Sequence, residues 1–124
     1  MAGSPVKSYR DLVVWQRAMD VVARVYRLTA TMPQHERYGL SSQVQRSAVS
    51  VPSNIAEGHA RQSTREYLYH LSVAIGSTAE LETQLMIVER LGYATPESMA
   101  PLISETGQIG RMLHGLQKSL RTKL

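Results

Sequence analysis

Residues 47–58 read Ser-Ala-Val-Ser-Val-Pro-Ser-Asn-Ile-Ala-Glu-Gly, and the rest of the chain can be arranged around them. Their apolar residues recur at helical spacing, at Ala48, Val51 and Ile55. This spacing predicts a helix with one buried face. Pro52 lies inside that helix, where proline removes a backbone donor and crowds the preceding turn, so we expect a bend there. Gly58 is the residue type preferred just beyond a helix C-terminus, and we expect the helix to end before it.

Length and composition favour a single domain spanning residues 1–124. The chain has 124 residues, no cysteine and a net charge of +4. This length is enough to bury a core, and the lack of cysteine suits the reducing cytoplasm, where we expect the protein to act. No apolar run approaches the roughly 18 residues of a membrane-spanning helix, so we expect no membrane partner. The mildly basic balance favours acidic partners such as nucleic acid.

Apolar residues spaced three and four apart predict four helices. They lie at about 11–31, 40–57, 63–91 and 96–121, after a flexible arm of residues 1–9. No stretch alternates with the period of a strand, so the predicted fold class is all-α. Short links between the helices favour an antiparallel up-down-up-down four-helix bundle.

Several helix ends carry recognisable signals. Ser63 and Glu66 have the spacing of a capping box, which predicts the start of the third helix. Gly92 is expected to end that helix. Thr95 followed by Pro96 predicts an N-cap and a first helical residue for the fourth helix.

The buried face of the first helix is predicted from one apolar stripe: Leu12, Trp15, Met19, Val22, Tyr26 and Thr29. Folding the second and third helices about the link at residues 58–62 is expected to bring Ser47 near Ala74 and Gly76. The small pair Gly76 and Ser77 would then pack closely on the second helix. In the same arrangement, two carboxylates lie near the positive N-terminal end of the second helix: Glu80 and Glu82.

These motifs resemble a known family, the small four-helix-bundle proteins encoded in bacterial 23S ribosomal RNA intervening sequences. The resemblance covers most of the chain and is strongest at Ser50, Pro52, Asn54, Glu57, Gly58 and Arg61, with a second match at Gly76, Ser77, Glu80 and Glu82. It implies a left-handed bundle that assembles as a ring-like homo-oligomer, a homopentamer. A related protein, the accessory factor of diversity-generating retroelements, is a basic pentameric bundle that binds nucleic acid and a reverse transcriptase. Ile75 departs from the family, which often has a basic residue at that position.

Rows of basic residues are the candidate nucleic-acid-binding site. The first helix carries Arg10, Arg17 and Arg24 at seven-residue spacing with Arg27 beside them, and the fourth helix carries Arg111, Lys118 and Arg121. The two helices are neighbours in the predicted bundle, so the rows are expected to form one patch that contacts phosphates. The alternative is a solvated surface with some arginines paired to carboxylates. The leading function is a non-enzymatic RNA-binding or accessory protein, and the second is a scaffold for a protein partner.

Two other groups of residues are candidate sites. Asn54, Glu57 and Arg61 are predicted to be structural, with Arg61 paired to Glu57, because no second titratable group or pocket is indicated. Arg65 and His70 have the spacing of the active motif of HEPN-type ribonucleases, which leaves a ribonuclease as a third function.

Metal and cofactor chemistry is not indicated. The Glu-x-x-His pairs of di-iron bundles are missing, because Tyr67 stands three residues before His70 and Arg111 three before His114. We therefore predict no metal site and no cofactor.

Overall fold

The structure, a computed structural model, describes residues 6–124. Four long helices make up most of this part of the chain: α1 (Val13–Ala30), α2 (Leu40–Ala60), α3 (Thr64–Arg90) and α4 (Pro96–Arg121). Short 3-10 turns at Tyr9–Asp11 and Gln34–Glu36 precede α1 and α2. Residues 6–124 contain no strand, so the all-α prediction is confirmed.

Each helix packs against two others, α1 and α3 both lying between α2 and α4. The core takes side chains from all four helices, and several are fully buried: Val25, Ile55, Leu85 and Leu113. Burying an aliphatic side chain of this size stabilises the fold by roughly 1.5–3 kcal/mol. Among residues 6–124, no helix combines the length and the apolar character needed to cross a membrane.

The start of the described chain is more ordered than predicted. The arm expected at residues 1–9 falls partly outside the described residues, which begin at Val6. Ser8 caps the first 3-10 turn, because its hydroxyl accepts from Arg10 N at 3.1 Å and its own N–H donates to the Asp11 carboxylate. The arm therefore does not extend to residue 9, and α1 begins at Val13, two residues later than predicted.

The helix ends predicted at Ser63, Gly92 and Thr95 are present. The Ser63 hydroxyl accepts from Glu66 N at 3.1 Å and opens α3. The Thr95 hydroxyl accepts from Ser98 N at the same distance and opens α4. Gly92 follows α3 with a φ of 77°, a left-handed conformation that glycine adopts without steric cost.

Gly58 has a different role from the predicted one. The second helix continues through the buried Pro52 and past Gly58 to Ala60, so the prediction that it ends before Gly58 is wrong. A Cβ atom added at Gly58 would lie only 2.8 Å from His70 Cβ and 3.0 Å from Tyr67 Cδ1. Glycine is therefore required at position 58 because α3 lies too close for any side chain.

The longer α2 shifts its pairing with α3. Ser47 Oγ donates to Glu80 Oε1 at 3.0 Å, and the hydroxyls of Ser50 and Ser77 are 2.8 Å apart. The prediction that Ser47 lies beside Ala74 and Gly76 is therefore wrong by about one helical turn. The reason is that the connection between the helices is shorter than expected, and centres on residues 61–63.

Two further predictions assumed the same pairing of α2 with α3, and both are wrong as well. Gly76 is exposed, and a Cβ added there would meet nothing within 4 Å, so Gly76 does not permit a close approach. Glu80 and Glu82 do not lie near the start of α2, because Glu80 accepts from Ser47 in the second turn. The Glu82 carboxylate instead approaches Gly107 of α4, 3.2 Å from where a Cβ would lie.

The buried face of α1 is rotated from the predicted one. The residues that enter the core are Val14, Ala18, Val21, Val25 and Thr29. Met19 and Tyr26, predicted to be buried, are 44% and 47% exposed. The helix has two adjacent apolar stripes with the same spacing, and the stripe of smaller side chains is the one that faces the core.

A pair of glycine substitutions tests the close packing of α2 on α3. We expect Gly58→Ala to lower the free energy of unfolding by about 1–3 kcal/mol, because the added methyl group would overlap His70. Gly76→Ala, at a helical position with open space, should raise it by up to about 1 kcal/mol. Urea unfolding followed by circular dichroism measures both, and an unchanged stability of Gly58→Ala would contradict the close approach.

Candidate nucleic-acid interface

The arginine row of α1 lies on the flank that faces α4. Arg17 is held there by an ion pair: its Nε donates to Glu105 Oε2 at 2.7 Å and its Nη2 to the other carboxylate oxygen. Nη2 also donates to Gln108, and Nη1 contacts the Met112 sulfur at 3.3 Å. A two-pronged arginine–carboxylate pair is among the stronger polar contacts in proteins. Arg17 therefore joins α1 to α4, with its guanidinium already engaged.

The ion pair sets the charge state of this seam. Hydrogen bonds from Arg17 hold the pKa of Glu105 below its ordinary value, and the nearby positive charge of Arg24 acts in the same direction. The same hydrogen bond raises the pKa of Arg17. Both groups therefore stay ionised across the physiological range, and the positive charge of Arg17 is locally neutralised.

Arg24 and Arg27 lie beside an open groove. A cavity of about 540 Å³ lies between the C-terminal half of α1 and the start of α4. Its floor is apolar, with Leu28, Met99 and Leu102, and no carboxylate lines it. The two arginines thus border a groove that carries only positive formal charge.

The remaining predicted basic residues are exposed but not gathered in this groove. Arg10 lies over the ring of Tyr9, 5.6 Å from its centroid. Arg111 extends along its own helix to Gly107, where Glu82 of α3 also approaches. Lys118 and Arg121 are exposed on the last turns of α4. The structure therefore brings Arg24 and Arg27 together beside one groove, engages Arg17 with Glu105, and leaves the α4 row as a separate surface.

The central motif forms a polar ladder between α2 and α3. Asn54 Nδ2 donates to the Ser50 carbonyl at 2.9 Å, which leaves its Oδ1 to accept from His70 Nδ1 at 3.1 Å. The predicted pair is confirmed, with Arg61 Nη2 donating to Glu57 Oε2 at 2.7 Å. These residues close the end of the bundle at the α2–α3 connection, which is a structural role.

The ribonuclease motif is not assembled. The His70 side chain is only 12% exposed and faces Asn54 and Glu57 of α2. Arg65 is exposed, and within residues 6–124 no hydrogen bond joins it to His70. Five residues along a helix separate two side chains by about 140°, so the pair cannot converge on one bond without a partner chain.

Two tyrosines have environments that shift their pKa values. Tyr93 Oη donates to Glu36 Oε2 at 2.8 Å, and this bond lowers the pKa of Glu36 and raises that of Tyr93. Burial raises the pKa of Tyr67.

Within residues 6–124, no group of three or more His, Asp or Glu side chains is placed to hold a metal ion.

Sequence patterns did not indicate two surface features. The buried Gln84 carries an Oε1 atom without a hydrogen-bond partner in the described chain, beside a groove that Arg46 and Glu80 also line. Tyr26 and the strongly exposed Tyr38 line a second groove, along α1 and α2. The one sequence feature that could have indicated this second groove is the adjacent pair Arg37 and Tyr38 in a polar connection.

Acid titration tests the ion pair. The pKa values of Glu105 and Glu36 lie below the ordinary value of 4.5 in the folded chain, so the unfolded chain binds more protons at acid pH. Stability should therefore be full above about pH 4.5 and fall as the pH drops through the folded pKa values. Glu105→Gln should cost roughly 1 kcal/mol or less at pH 7 and make the acid decline shallower.

The matched control is Glu89→Gln, which removes a carboxylate that has no ion pair in residues 6–124. It should keep the acid decline of the wild type. Chemical unfolding at a series of pH values measures both variants, and an unaltered decline in Glu105→Gln would count against the ion pair.

Comparison with known proteins identifies the fold and the family. The chain is similar to a protein of unknown function from the S23 ribosomal protein family of Bacteroides thetaiotaomicron, whose crystal structure aligns with a TM-score of 0.80. The alignment covers 86% of this chain and 99% of that one at 24% identity, so it supports the fold alone. No curated protein matches the chain. The family model described as 23S rRNA-intervening sequence protein matches residues 10–115, which include both sequence motifs. The chain therefore belongs to the 23S rRNA-intervening sequence protein family, as its motifs indicated.

Proposed function

We propose that the protein is a non-enzymatic RNA-binding or accessory protein of the cytoplasm. The observation that carries this proposal is the groove between α1 and α4, which Arg24 and Arg27 border and no carboxylate lines. Guanidinium groups at the edge of an open groove suit the phosphates of a nucleic-acid backbone. The net charge of +4 favours the approach of such a polyanion.

The other basic residues form further surfaces outside the groove. Arg10, Arg111, Lys118 and Arg121 are exposed and supply additional phosphate contacts. Arg17 contributes indirectly, because its ion pair with Glu105 fixes the flank of α1 that carries Arg24. Contacts of this kind do not read base sequence, so binding is expected to be general and sensitive to salt. RNA is the chosen nucleic acid because the family is named for a ribosomal RNA segment.

The protein acts as a left-handed, antiparallel up-down-up-down bundle that assembles into a ring-like homopentamer. Contacts between neighbouring helices support the antiparallel arrangement: along α2 and α3, Ser47 meets Glu80, Ser50 meets Ser77 and Asn54 meets His70, and the C-terminal half of α1 lies beside the start of α4. Exposed apolar side chains at the end of α3 support assembly: Ile87 and Leu91, one turn apart, are 41% and 53% exposed, and Met86, next to Ile87, is 51% exposed. Adjacent exposed apolar side chains are typical of protein contact surfaces.

The same apolar surface of α3 favours a second function, a scaffold that binds a different protein. In that function Met86, Ile87 and Leu91 contact the partner, and the basic groove has no ligand. The two functions differ in two observables: whether the protein binds RNA, and which mass it has in solution without a partner.

Neutralising the groove tests the phosphate contacts. We expect Arg24→Gln/Arg27→Gln to weaken binding of oligouridine and to reduce the slope of log K against log salt by about 1.4, the value for two phosphate contacts to a single strand. The control Arg65→Gln/Arg90→Gln removes the same charge at two exposed arginines elsewhere. Fluorescence anisotropy at a series of salt concentrations measures the affinity of both double variants. A wild-type affinity that does not change with salt concentration would contradict the proposal.

The same samples test the absence of catalysis. We expect the RNA to remain intact on gels after long incubation with wild type. If wild type cleaves the RNA and His70→Ala does not, the non-enzymatic function is overturned and the ribonuclease function is supported.

Sedimentation velocity at micromolar concentration tests the assembly. We expect wild type to sediment as a pentamer, and Met86→Ser/Ile87→Ser/Leu91→Ser to sediment as a smaller species, because the apolar contact surface is lost. Leu124→Ser, which changes an exposed leucine at the chain end, should keep the wild-type mass. A monomeric wild type would contradict the ring and favour the scaffold.

A further inference from the structure

A second groove follows the seam between α1 and α2, on the flank of α1 opposite the Arg24–Arg27 groove. Two adjoining cavities of about 600 and 410 Å³ form it, and they share Tyr26, Ser42 and Gln45. Arg37 and Tyr38 line one cavity, and Arg46 lines the other. We call this surface the tyrosine groove, defined by Tyr26, Arg37, Tyr38, Gln45 and Arg46.

The aromatic rings in the tyrosine groove are open to solvent. Tyr38 is 86% exposed and Tyr26 is 47% exposed, although tyrosine usually buries most of its ring. The Arg37 guanidinium lies over the Tyr38 ring, 5.5 Å from its centroid. The Arg37 guanidinium approaches one face of the ring, and the opposite face is open to a flat ligand.

The polar groups of the groove match a nucleotide. Arg37 and Arg46 supply two positive charges, and no carboxylate lines either cavity. Gln45 donates to Thr29 Oγ1 at 2.9 Å, which leaves its amide oxygen free to accept from a base edge. Arg46 uses one nitrogen to contact Ser42 Oγ at 3.2 Å and keeps other donors for a phosphate.

We propose that the tyrosine groove binds unpaired bases of single-stranded RNA. One base stacks on the open face of Tyr38, Tyr26 provides the neighbouring ring surface, and Arg37 and Arg46 contact the backbone. This assignment rests on the proposed RNA-binding function and gives that function a preference for unpaired strands. Bases in a duplex are stacked on one another, so they cannot use the tyrosines.

Paired substitutions at exposed tyrosines test the assignment. Tyr38→Ala should weaken binding of a labelled oligouridine about tenfold and leave binding of an RNA duplex of the same length unchanged. Tyr38→Phe keeps the ring and should bind both RNAs like wild type. Tyr69→Ala is the matched control, because Tyr69 is 64% exposed on α3, outside the groove. Circular dichroism confirms that each variant is folded.

The outcomes separate this assignment from the proposed function. If wild type binds RNA with a salt dependence that Arg24→Gln/Arg27→Gln reduces, while Tyr38→Ala binds oligouridine like Tyr69→Ala, the stacking site is wrong and the phosphate contacts remain. If wild type binds neither RNA at low salt, both proposals are overturned. If Tyr38→Ala instead lowers the sedimenting mass of the RNA-free protein, the groove is a contact between subunits and the stacking site is wrong.

Discussion

The close packing of α2 on α3 at Gly58 fixes the relative positions of the other elements. Apolar stripes repeat along both helices, and such stripes would fit almost as well after a slip of two turns. The close contact at Gly58 and the hydroxyl pair of Ser50 and Ser77 would be lost after such a slip, because each needs one specific neighbour on the facing helix. The polar ladder therefore selects a single register, while the apolar core supplies most of the stability. With that register set, α1 and α4 complete the bundle around it.

The proposed contacts concentrate on α1, whose two flanks differ in chemistry. One flank faces α4, where Arg17 is paired with Glu105 while Arg24 and Arg27 border an open groove. The other flank faces α2, where Tyr26 is half exposed in the tyrosine groove. Both grooves reach the same end of the bundle, near the connection that carries Arg37 and Tyr38. A single strand of nucleic acid that crosses this end would meet the proposed phosphate contacts and the proposed stacking rings in succession.

Sequence patterns predicted the four helices and most of their ends, because caps such as Ser63 and Thr95 depend on neighbouring residues only. They failed where the answer depends on distant parts of the chain. Nothing local distinguishes a glycine that ends a helix from Gly58, which makes room for His70. Spacing alone could not decide which of two apolar stripes on α1 is buried, or that Arg17 has a carboxylate partner 88 residues away. The candidate site was therefore predicted by residue type but not by arrangement.

The ion pair of Arg17 also changes the electrostatic shape of the molecule. In sequence, Arg10, Arg17 and Arg24 form a uniform row, but Glu105 cancels the middle charge. Positive charge is left at the two extremes of the row: Arg10 lies before the first turn of α1, and Arg24 lies with Arg27 beside the groove near the C-terminus of that helix. The row is thus electrically interrupted, so a polyanion lying along α1 is attracted at the two ends of the row and much less at its middle.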